Sequence, residues 1–374
     1  MKMINKDFLD LIWKEFYFDQ IFEVENGFYN KKPECSNSGR IPFLGATSSD
    51  NGITGFSSLE IIEKASKNGH GKNHSLEEKI FEGNCITVTN NGTSMGYAYY
   101  QKNEFTCSHD INPLYLKDHE LNRYIASFLI VLIEKQKIRF EYSRKWRPER
   151  MKKSKILIPV TDEGIPDWIF MESYMKEKEK FLLRKYKSYL EEKLNQININ
   201  KGEWDGIDIS SKKWSEFFIS DIGEIDSGKD IYATERLKGD IPYITAKSKD
   251  NGVGHFIRNE NNTLESNCIS VNRNGSVGYA FYHPYKALYS NDCRKIRLNR
   301  NKHISLFIAN QITSQRGKYG YGYKMGTGRL KRQKIMLPID DNNNPDWEFI
   351  ESYMKKLEYE KISKYLNYIE NRVK

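Results

Sequence analysis

Apolar and polar positions follow two different periods along the chain. Cys85-Ile-Thr-Val-Thr89 and Tyr97-Ala-Tyr-Tyr100 are short β-branched and aromatic runs bounded by Asn-Gly and Gly, which predicts strands. Ile156-Leu-Ile-Pro159 predicts another, stopped by its proline. Leu121 to Lys135 predicts a short helix, and a matching segment starts at His303. The period then lengthens. From Asp167 to Leu194 there is no Pro or Gly, and apolar residues fall at Trp168, Met171, Met175, Leu182, Tyr186 and Tyr189. Ile350, Met354, Leu357, Ile362, Tyr365 and Ile369 repeat the pattern near the C-terminus. Steps of three and four predict two amphipathic helices of about 25 residues, roughly 40 Å each at about 1.5 Å per residue. Asp167 and Asp346, each straight after Pro, stand where N-caps belong. The apolar stripe outlasts the reach of one domain, so it is expected to bury against a partner, most simply the other long helix, rather than against its own β domain.

Nearly the whole chain is written twice. Trp13-Lys-Glu-Phe-Tyr-Phe returns as Trp214-Ser-Glu-Phe-Phe-Ile, and Ile41-Pro-Phe-Leu-Gly-Ala-Thr-Ser-Ser-Asp-Asn-Gly52 as Ile241-Pro-Tyr-Ile-Thr-Ala-Lys-Ser-Lys-Asp-Asn-Gly252. Asn84-Cys-Ile-Thr-Val88 matches Asn267-Cys-Ile-Ser-Val271, and Gly96-Tyr-Ala-Tyr-Tyr100 matches Gly278-Tyr-Ala-Phe-Tyr282. Pro166-Asp-Trp168 and Glu172-Ser-Tyr-Met-Lys176 return as Pro345-Asp-Trp347 and Glu351-Ser-Tyr-Met-Lys355. The offset shrinks from 201 residues to 179, mostly between Gly52 and Asn84. Extra residues there, Ser57 to Glu82, predict an enlarged surface loop in the first copy. A period this long means two whole domains, not a solenoid. Each is expected to be an α+β unit, mainly β with short helices, followed by a long helix. The expected division is 1–165 and 212–344 for the domains, 166–194 and 345–374 for the helices, and 195–211 for a polar linker.

Composition narrows the class. The chain has 374 residues with 59 Lys+Arg against 50 Asp+Glu, a net charge of +9. The longest apolar run, Ile125 to Ile133, is far short of the roughly 20 residues a bilayer demands. The N-terminus turns acidic before an apolar core forms, so no signal peptide is expected and the cytoplasm follows. Five Cys without a CxxC argue against a disulfide framework and give little support to zinc. A basic chain with 24 Tyr and 19 Phe is compatible with nucleic-acid binding, and equally with an AT-biased genome.

The order of these motifs resembles the specificity (S) subunit of type I restriction–modification systems and the similar recognition subunits of bipartite type II systems. The resemblance rests on Ile41-Pro-Phe-Leu and Ile241-Pro-Tyr-Ile, on the two Gly-Tyr-Ala segments, and on the passage from Ile-Leu-Ile-Pro to Pro-Asp-Trp. Lys318-Tyr-Gly-Tyr-Gly-Tyr-Lys-Met and Arg329-Leu-Lys-Arg-Gln-Lys fit the family pattern in the second copy; Arg139 to Arg147 in the first lacks its glycines. It implies two target-recognition domains, each reading one half of a split double-stranded DNA target. It also implies that the helices pair as an antiparallel coiled coil. Trp168, Met171, Met175, Leu182, Ile350, Met354, Leu357 and Ile362 are the candidate spacer positions. The implied partners are DNA methyltransferase subunits, two copies by the symmetry of the repeat, and a motor–nuclease subunit in type I systems, with no membrane. The chain itself is expected to carry no catalytic residue, metal or cofactor, and to serve a phage-defence restriction system.

Matched turns that differ in side chain are the candidates for base readout: Thr47, Ser48, Ser49, Asn51, Thr89, Asn90 and Asn91 in the first copy, Lys247, Lys249, Asn251, Asn272, Arg273 and Asn274 in the second. Basic clusters before each last strand are the candidates for phosphate contact: Arg144, Lys145, Arg147, Arg150, Lys152 and Lys153, then Lys324, Arg329, Lys331 and Arg332. Enzyme readings find little. Asn112-Pro-Leu-Tyr115 looks like an amino-methyltransferase motif, but no glycine-rich fingerprint precedes it and the second copy has Arg294-Lys-Ile-Arg297 there. Asp167 and Glu191 lie about 36 Å apart on one helix, too far to share a metal. His70 and His74 sit among glycines without a third ligand. A different class stays open: a protein-binding scaffold that uses the long helices and does not read DNA.

Overall fold

The computed structural model describes residues 11–36, 39–140, 144–197, 204, 206–320 and 322–373. The chain divides into two compact units, Met1–Lys185 and Tyr186–Lys374.

In the first unit, β1 (Ile12–Tyr17) and α1 (Phe18–Ile21) lead into β2 (Phe22–Val24), β3 (Ile41–Leu44) and β4 (Ile53–Ser57). There follow α2 (Leu59–Lys64), β5 (Cys85–Thr89), β6 (Ala98–Gln101), β7 (Thr106–Cys107), β8 (Ile111–Leu116) and α3 (Arg123–Glu134). Then come α4 (Pro148–Lys152), β9 (Lys155–Val160) and the long α5 (Trp168–Ile197). Three sheets result: β2-β8-β5-β6, β4-β3-β7 and the ribbon β1-β9.

The second unit repeats this with α6 (Ile219–Ile222) in place of α1. Its strands are β10 (Trp214–Phe218), β11 (Glu224–Ser227), β12 (Lys238–Ile244), β13 (Val253–Ile257), β14 (Cys268–Asn272), β15 (Ala280–His283), β16 (Leu288–Tyr289), β17 (Cys293–Arg297) and β18 (Lys334–Pro338). Its later helices are α7 (Lys302–Ser314), α8 (Thr327–Lys331) and α9 (Trp347–Val373). The strand orders β11-β17-β14-β15, β13-β12-β16 and β10-β18 reproduce the first unit sheet for sheet.

Why the copies fold alike is visible at matched contacts. The inner sheet buries Ile86, Val88 and Leu114 in one copy and Ile269, Val271 and Ile296 in the other, against the apolar faces of α3 and α7. Asn122 and Asn301 cap those helices, each side-chain oxygen accepting from two backbone N–H groups. Trp146 is fully buried, stacked on Phe140 at 4.5 Å and edge-on to Phe18 at 5.5 Å. Met325 fills the matched place. So the first copy, lacking the glycines, anchors the same segment with a larger ring.

The long helices number 30 and 27 residues, and both N-caps are where the sequence puts them: Asp167 accepts from the Phe170 N–H at 2.9 Å and Asp346 from that of Phe349 at 3.0 Å. Their stripes are buried in two ways. The first turns pack on their own domain: Phe170 and Met171 are part of the first core and Ile350 of the second, with Met175 and Met354 against them. Trp168 stacks on His119 at 5.5 Å. Glu179 ties α5 to Arg123 of α3, and Glu358 ties α9 to Lys302 and His303 of α7. α3 offers the following helix an apolar flank: Phe128 meets Phe170 edge-on at 6.4 Å and Tyr174 at 6.0 Å. Leu182 stays 61% exposed, while Leu357 and Ile362 are half-buried. Within the second unit, the end of α5 meets α9: Tyr186 lies edge-on to Tyr365 at 5.6 Å, and Lys187 pairs with Glu370 at 2.8 Å.

Two other segments are more structured than their polarity suggests. The first copy's insertion is not a plain loop: it contains α2, whose Ile62 is fully buried, and Lys79, whose ammonium is buried donating to the carbonyls of Ile62 and Glu63 and to Asn73. In the expected linker, α5 runs on to Ile197, and Trp204 is buried against Tyr359 at 4.3 Å; residues 198–203 and 205 lie outside the described residues. Among the described residues no helix is long and apolar enough to cross a membrane.

Candidate nucleic-acid interface

Three loops are hydrogen-bonded together in each domain: β3–β4, β5–β6 and β7–β8 in the first, β12–β13, β14–β15 and β16–β17 in the second. The tight turns need left-handed backbone. Asp50 and Asn51 have φ of 54° and 53°, and Asp250 and Asn251 repeat this at 53° and 52°, which short polar side chains tolerate. Gly96 and Gly278 have φ of 82° and 83°, and a Cβ there would sit 2.5 Å from Lys137 Cβ or 2.9 Å from Arg316 Cβ.

Several predicted base-readers knit these loops together. Asn51 donates its amide to the Tyr100 carbonyl at 3.2 Å and Asn251 to that of Tyr282 at 3.3 Å. Asn91 donates to Asp110 at 2.8 Å and Asn274 to Asp292 at 3.2 Å. Thr89, Asn90 and Asn272 are buried: Asn90 donates to the His109 carbonyl and to Asn112, and Asn272 to the Lys247 carbonyl at 2.8 Å. In the first copy the matched carbonyl, that of Thr47, is held instead by the Tyr99 hydroxyl at 3.1 Å. A different side chain thus holds the same loop.

Of the residues that knit the loops, Asn51 and Asn251 are themselves exposed and Asn91 and Asn274 half-buried; the remaining candidates also reach the surface. Ser48, Ser49, Lys247 and Lys249 are exposed, and Thr47 and Arg273 half-buried. Lys247 pairs with Asp250 at 2.7 Å, holding that carboxyl below its usual range. Arg273 donates to the Asn291 carbonyl at 3.4 Å. The structure adds residues that sequence reasoning missed. His109 and Asn291 hold matched positions beside these loops, His109 3.4 Å from Asp110. Lys137 lies 4.2 Å from the Tyr97 ring and Arg316 5.2 Å from that of Tyr279. The Gly-Tyr-Ala repeat pointed to the tyrosines, but their cations come some 40 residues later, at a different offset.

The basic clusters follow from α4 and α8. α4 buries Pro148 and Met151 and α8 buries Leu330, and both turn cations outward. Arg144, Arg147, Arg150, Lys152 and Lys153 are exposed and Lys145 half-buried. Lys331 and Arg332 are exposed; Lys324 and Arg329 are half-buried, with Arg329 stacked on Tyr323 at 3.6 Å and donating to the Lys324 carbonyl.

Among the described residues no catalytic arrangement accompanies these surfaces. Asn112 of the methyltransferase-like motif lies inside β8, fully buried, its amide given to the Glu25 carbonyl at 2.8 Å. Burial pushes the thiols of Cys85, Cys268 and Cys293 up to about 12, away from nucleophilic thiolate. Ser270 bonds to His283 at 2.8 Å, but both are fully buried. Among the described residues no three His, Cys, Asp or Glu side chains are grouped to hold a metal.

Comparison with known proteins is consistent with this duplication. The sequence profile described as the type I restriction modification DNA specificity domain matches residues 12–185 and again 211–370. The chain is 33% identical over 302 residues, 80% of its length and 85% of the other's, to "Type II restriction enzyme BgcI specificity subunit S.BcgI" of Heyndrickxia coagulans. Among solved structures it is similar to the S subunit of a type I restriction-modification system from M. genitalium, with TM-score 0.49 and 16% identity over 100% of this chain and 94% of that one. It is also similar to the HsdS subunit from Thermoanaerobacter tengcongensis, with TM-score 0.31 and 11% identity over 97% and 92% of the two chains. With the specificity profile matched twice, the scaffold reading is not favoured. The chain belongs to the restriction–modification DNA specificity family, as a specificity subunit whose part is sequence recognition and not catalysis.

Proposed function

We propose that each domain reads one half of a split DNA target and that the two halves differ. One observation carries this reading: matched loops share turn geometry and internal staples yet differ at their tips, half-buried Thr47 and exposed Ser49 against exposed Lys247 and Lys249. Identical scaffolds with different tips suit one task performed on two sequences. Thr47, Ser48, Ser49, Lys247, Lys249 and Arg273 are the base-reading set on this view, with Asn51, Thr89, Asn90, Asn91, Asn251, Asn272 and Asn274 shaping their loops. The cations around α4 and α8 hold phosphates, which fixes register without carrying sequence information.

Residues 1–165 and 212–344 serve as recognition domains, and 166–194 and 345–374 as an antiparallel spacer joined through 195–211. Helices of 30 and 27 residues are about 40–45 Å long, enough to separate two half-sites by about one turn of B-DNA, 34–36 Å. The exposed apolar residues of α5, including Phe181 and Leu182, suit docking of methyltransferase subunits, one per half, in the cytoplasm beside the DNA. The similarity to a type II specificity subunit favours a bipartite type II system.

Methylome sequencing tests the reading. Cells carrying this gene and its methyltransferase are compared with a deletion of this gene alone. Loss of one split, asymmetric methylated motif is the expected result; an unchanged methylome refutes it.

A further inference from the structure

Beside α4 and α8 each domain carries a cleft, of about 570 Å³ in the first copy and about 360 Å³ in the second. Five wall positions correspond 179 residues apart: Gln136, Arg139, Lys153, Ser154 and Lys155 of the first stand where Gln315, Lys318, Arg332, Gln333 and Lys334 stand in the second. Cation is replaced by cation at Arg139 and Lys153, although Lys and Arg exchange. A third pair, Lys155 and Lys334, is neutralised by Glu15 at 2.8 Å and by Glu216 at 2.7 Å. Arg139, Lys153 and Arg332 make no ion pair among the described residues, and Lys318 is held only by the Gln315 side-chain oxygen at 2.9 Å. The first cleft adds Arg144 and Arg150 against one carboxylate, Glu149. Among the described residues both clefts therefore keep positive charge that no carboxylate neutralises.

Gln136 lines the first cleft, and Gln315 and Gln333 the second. Gln136 is 8% exposed, and its buried side-chain oxygen has no hydrogen-bond partner. A buried polar atom left unpaired is costly. Rotation about the last side-chain bond exchanges that oxygen for two N–H donors, which an anion in the cleft would satisfy. Gln315, the matched residue, already accepts from Lys318.

We propose that these clefts are one duplicated phosphate-binding site, each taking a backbone phosphodiester of the half-site its own domain reads. The inference rests on the DNA-reading proposal and deepens its phosphate contact: it places that contact in a matched cleft and adds Arg139, Lys318 and Gln136. Its logic is the contrast between the copies. The loop tips differ, as bases in two half-sites differ. The cleft cations persist, so they suit what both half-sites share, the sugar–phosphate backbone.

The test uses the full chain with its methyltransferase partner, and fluorescence anisotropy on a duplex bearing the methylated motif and on a scrambled duplex, across a salt series. The variants are Arg139→Gln with Lys153→Gln, and Lys318→Gln with Arg332→Gln. Each pair is expected to reduce the slope of log affinity against log salt by about 0.9 for each phosphate left without its cation, and to weaken both duplexes by the same factor. Methylphosphonate at single backbone positions supplies the geometric check. A position sensitive in the wild type should fall silent in the first variant on one half-site only, and in the second variant on the other.

An unchanged salt slope with both clefts altered overturns the proposal, as does a loss of discrimination without a change of slope. If inorganic phosphate or ATP raises the melting temperature of the wild type and not of the variants, while the DNA slope stays fixed, the ligand is a free phosphate and the assignment to DNA falls. A wild-type complex that binds no duplex selectively removes the DNA-reading proposal itself. Selective wild-type binding with unaltered variants removes the clefts alone.

Discussion

His283 offers a test in which the protein supplies its own control. It lies on β15 with no exposed surface, its ring 2.8 Å from the Ser270 hydroxyl and 3.3 Å from the Tyr285 hydroxyl. Burial pushes its imidazole down from 6.5 to about 4. The unfolded chain therefore binds the proton more readily than the folded one. Stability is full above about pH 6.5, falls as pH drops through that value, and levels off below about pH 4. At about 1.36 kcal/mol per pH unit of displacement, the whole effect is about 3 kcal/mol, of which about 2 is lost by pH 5. The first copy has Gln101 at the matched place, its amide 3.1 Å from the Thr87 hydroxyl where the second copy has Ser270. His283→Gln should thus keep the buried hydrogen bond and remove the titration. Urea unfolding of both proteins at pH 7.5 and pH 5 isolates the effect, because every carboxylate contribution cancels in the difference. The wild type should lose about 2 kcal/mol more than the variant. A difference that does not change with pH would mean the folded imidazole is solvated or paired with an anion, and the burial reasoning would be wrong.

Other perturbations probe the remaining links. Trp146→Ala empties the site between Phe18 and Phe140 and strips Ser154 of an indole N–H, and should cost about 3–5 kcal/mol in urea unfolding. Asp167→Ala removes an N-cap and should cost about 1 kcal/mol. Asp346→Ala should cost more, because that carboxylate also pairs with Lys212 at 2.6 Å; thermal denaturation compares the two. Lys247→Thr with Lys249→Ser gives the second copy the first copy's loop tip. It should change one half of the methylated motif and leave the other intact, at about 1–3 kcal/mol for each base no longer read. Methylome sequencing reads this directly, and a change in both halves would sink the division of labour.

The duplication, the caps and the turn positions were legible because each depends on local chemistry. Asp after Pro starts a helix at both places, and Asp-Asn-Gly takes left-handed backbone in both copies. The fate of the amides was not legible. Asn90 and Arg273 are aligned in sequence, yet one is buried against Asn112 and the other half-buried at the surface. Burial depends on what β8 or β17 places opposite, Asn112 in one and Arg294 in the other, some 20 residues away. The long helices were legible as helices, but what covers each part of their stripes was not. A stripe of period 3.6 reports that one face is buried, but not whether a neighbouring helix or the domain's own flank buries it.

A chain that repeats itself permits a separation that a single domain does not. Where the copies agree at exposed positions, the common partner or the common backbone is the constraint. Where they agree at buried ones, as at Asn122 and Asn301, the fold is. Where they differ at buried positions, one structural need has two solutions: the Thr47 carbonyl takes a tyrosine hydroxyl and the Lys247 carbonyl an asparagine amide. Differences at the surface of a shared turn are what can separate the two half-sites; Ser48, unchanged as Ser248, can read only what they have in common. Such differences are few, and they lie on loops whose shape is set from behind by buried amides. Loop tips can then exchange Ser and Thr for Lys without disturbing the turn. Specificity can therefore change by few substitutions while the scaffold that presents it stays fixed.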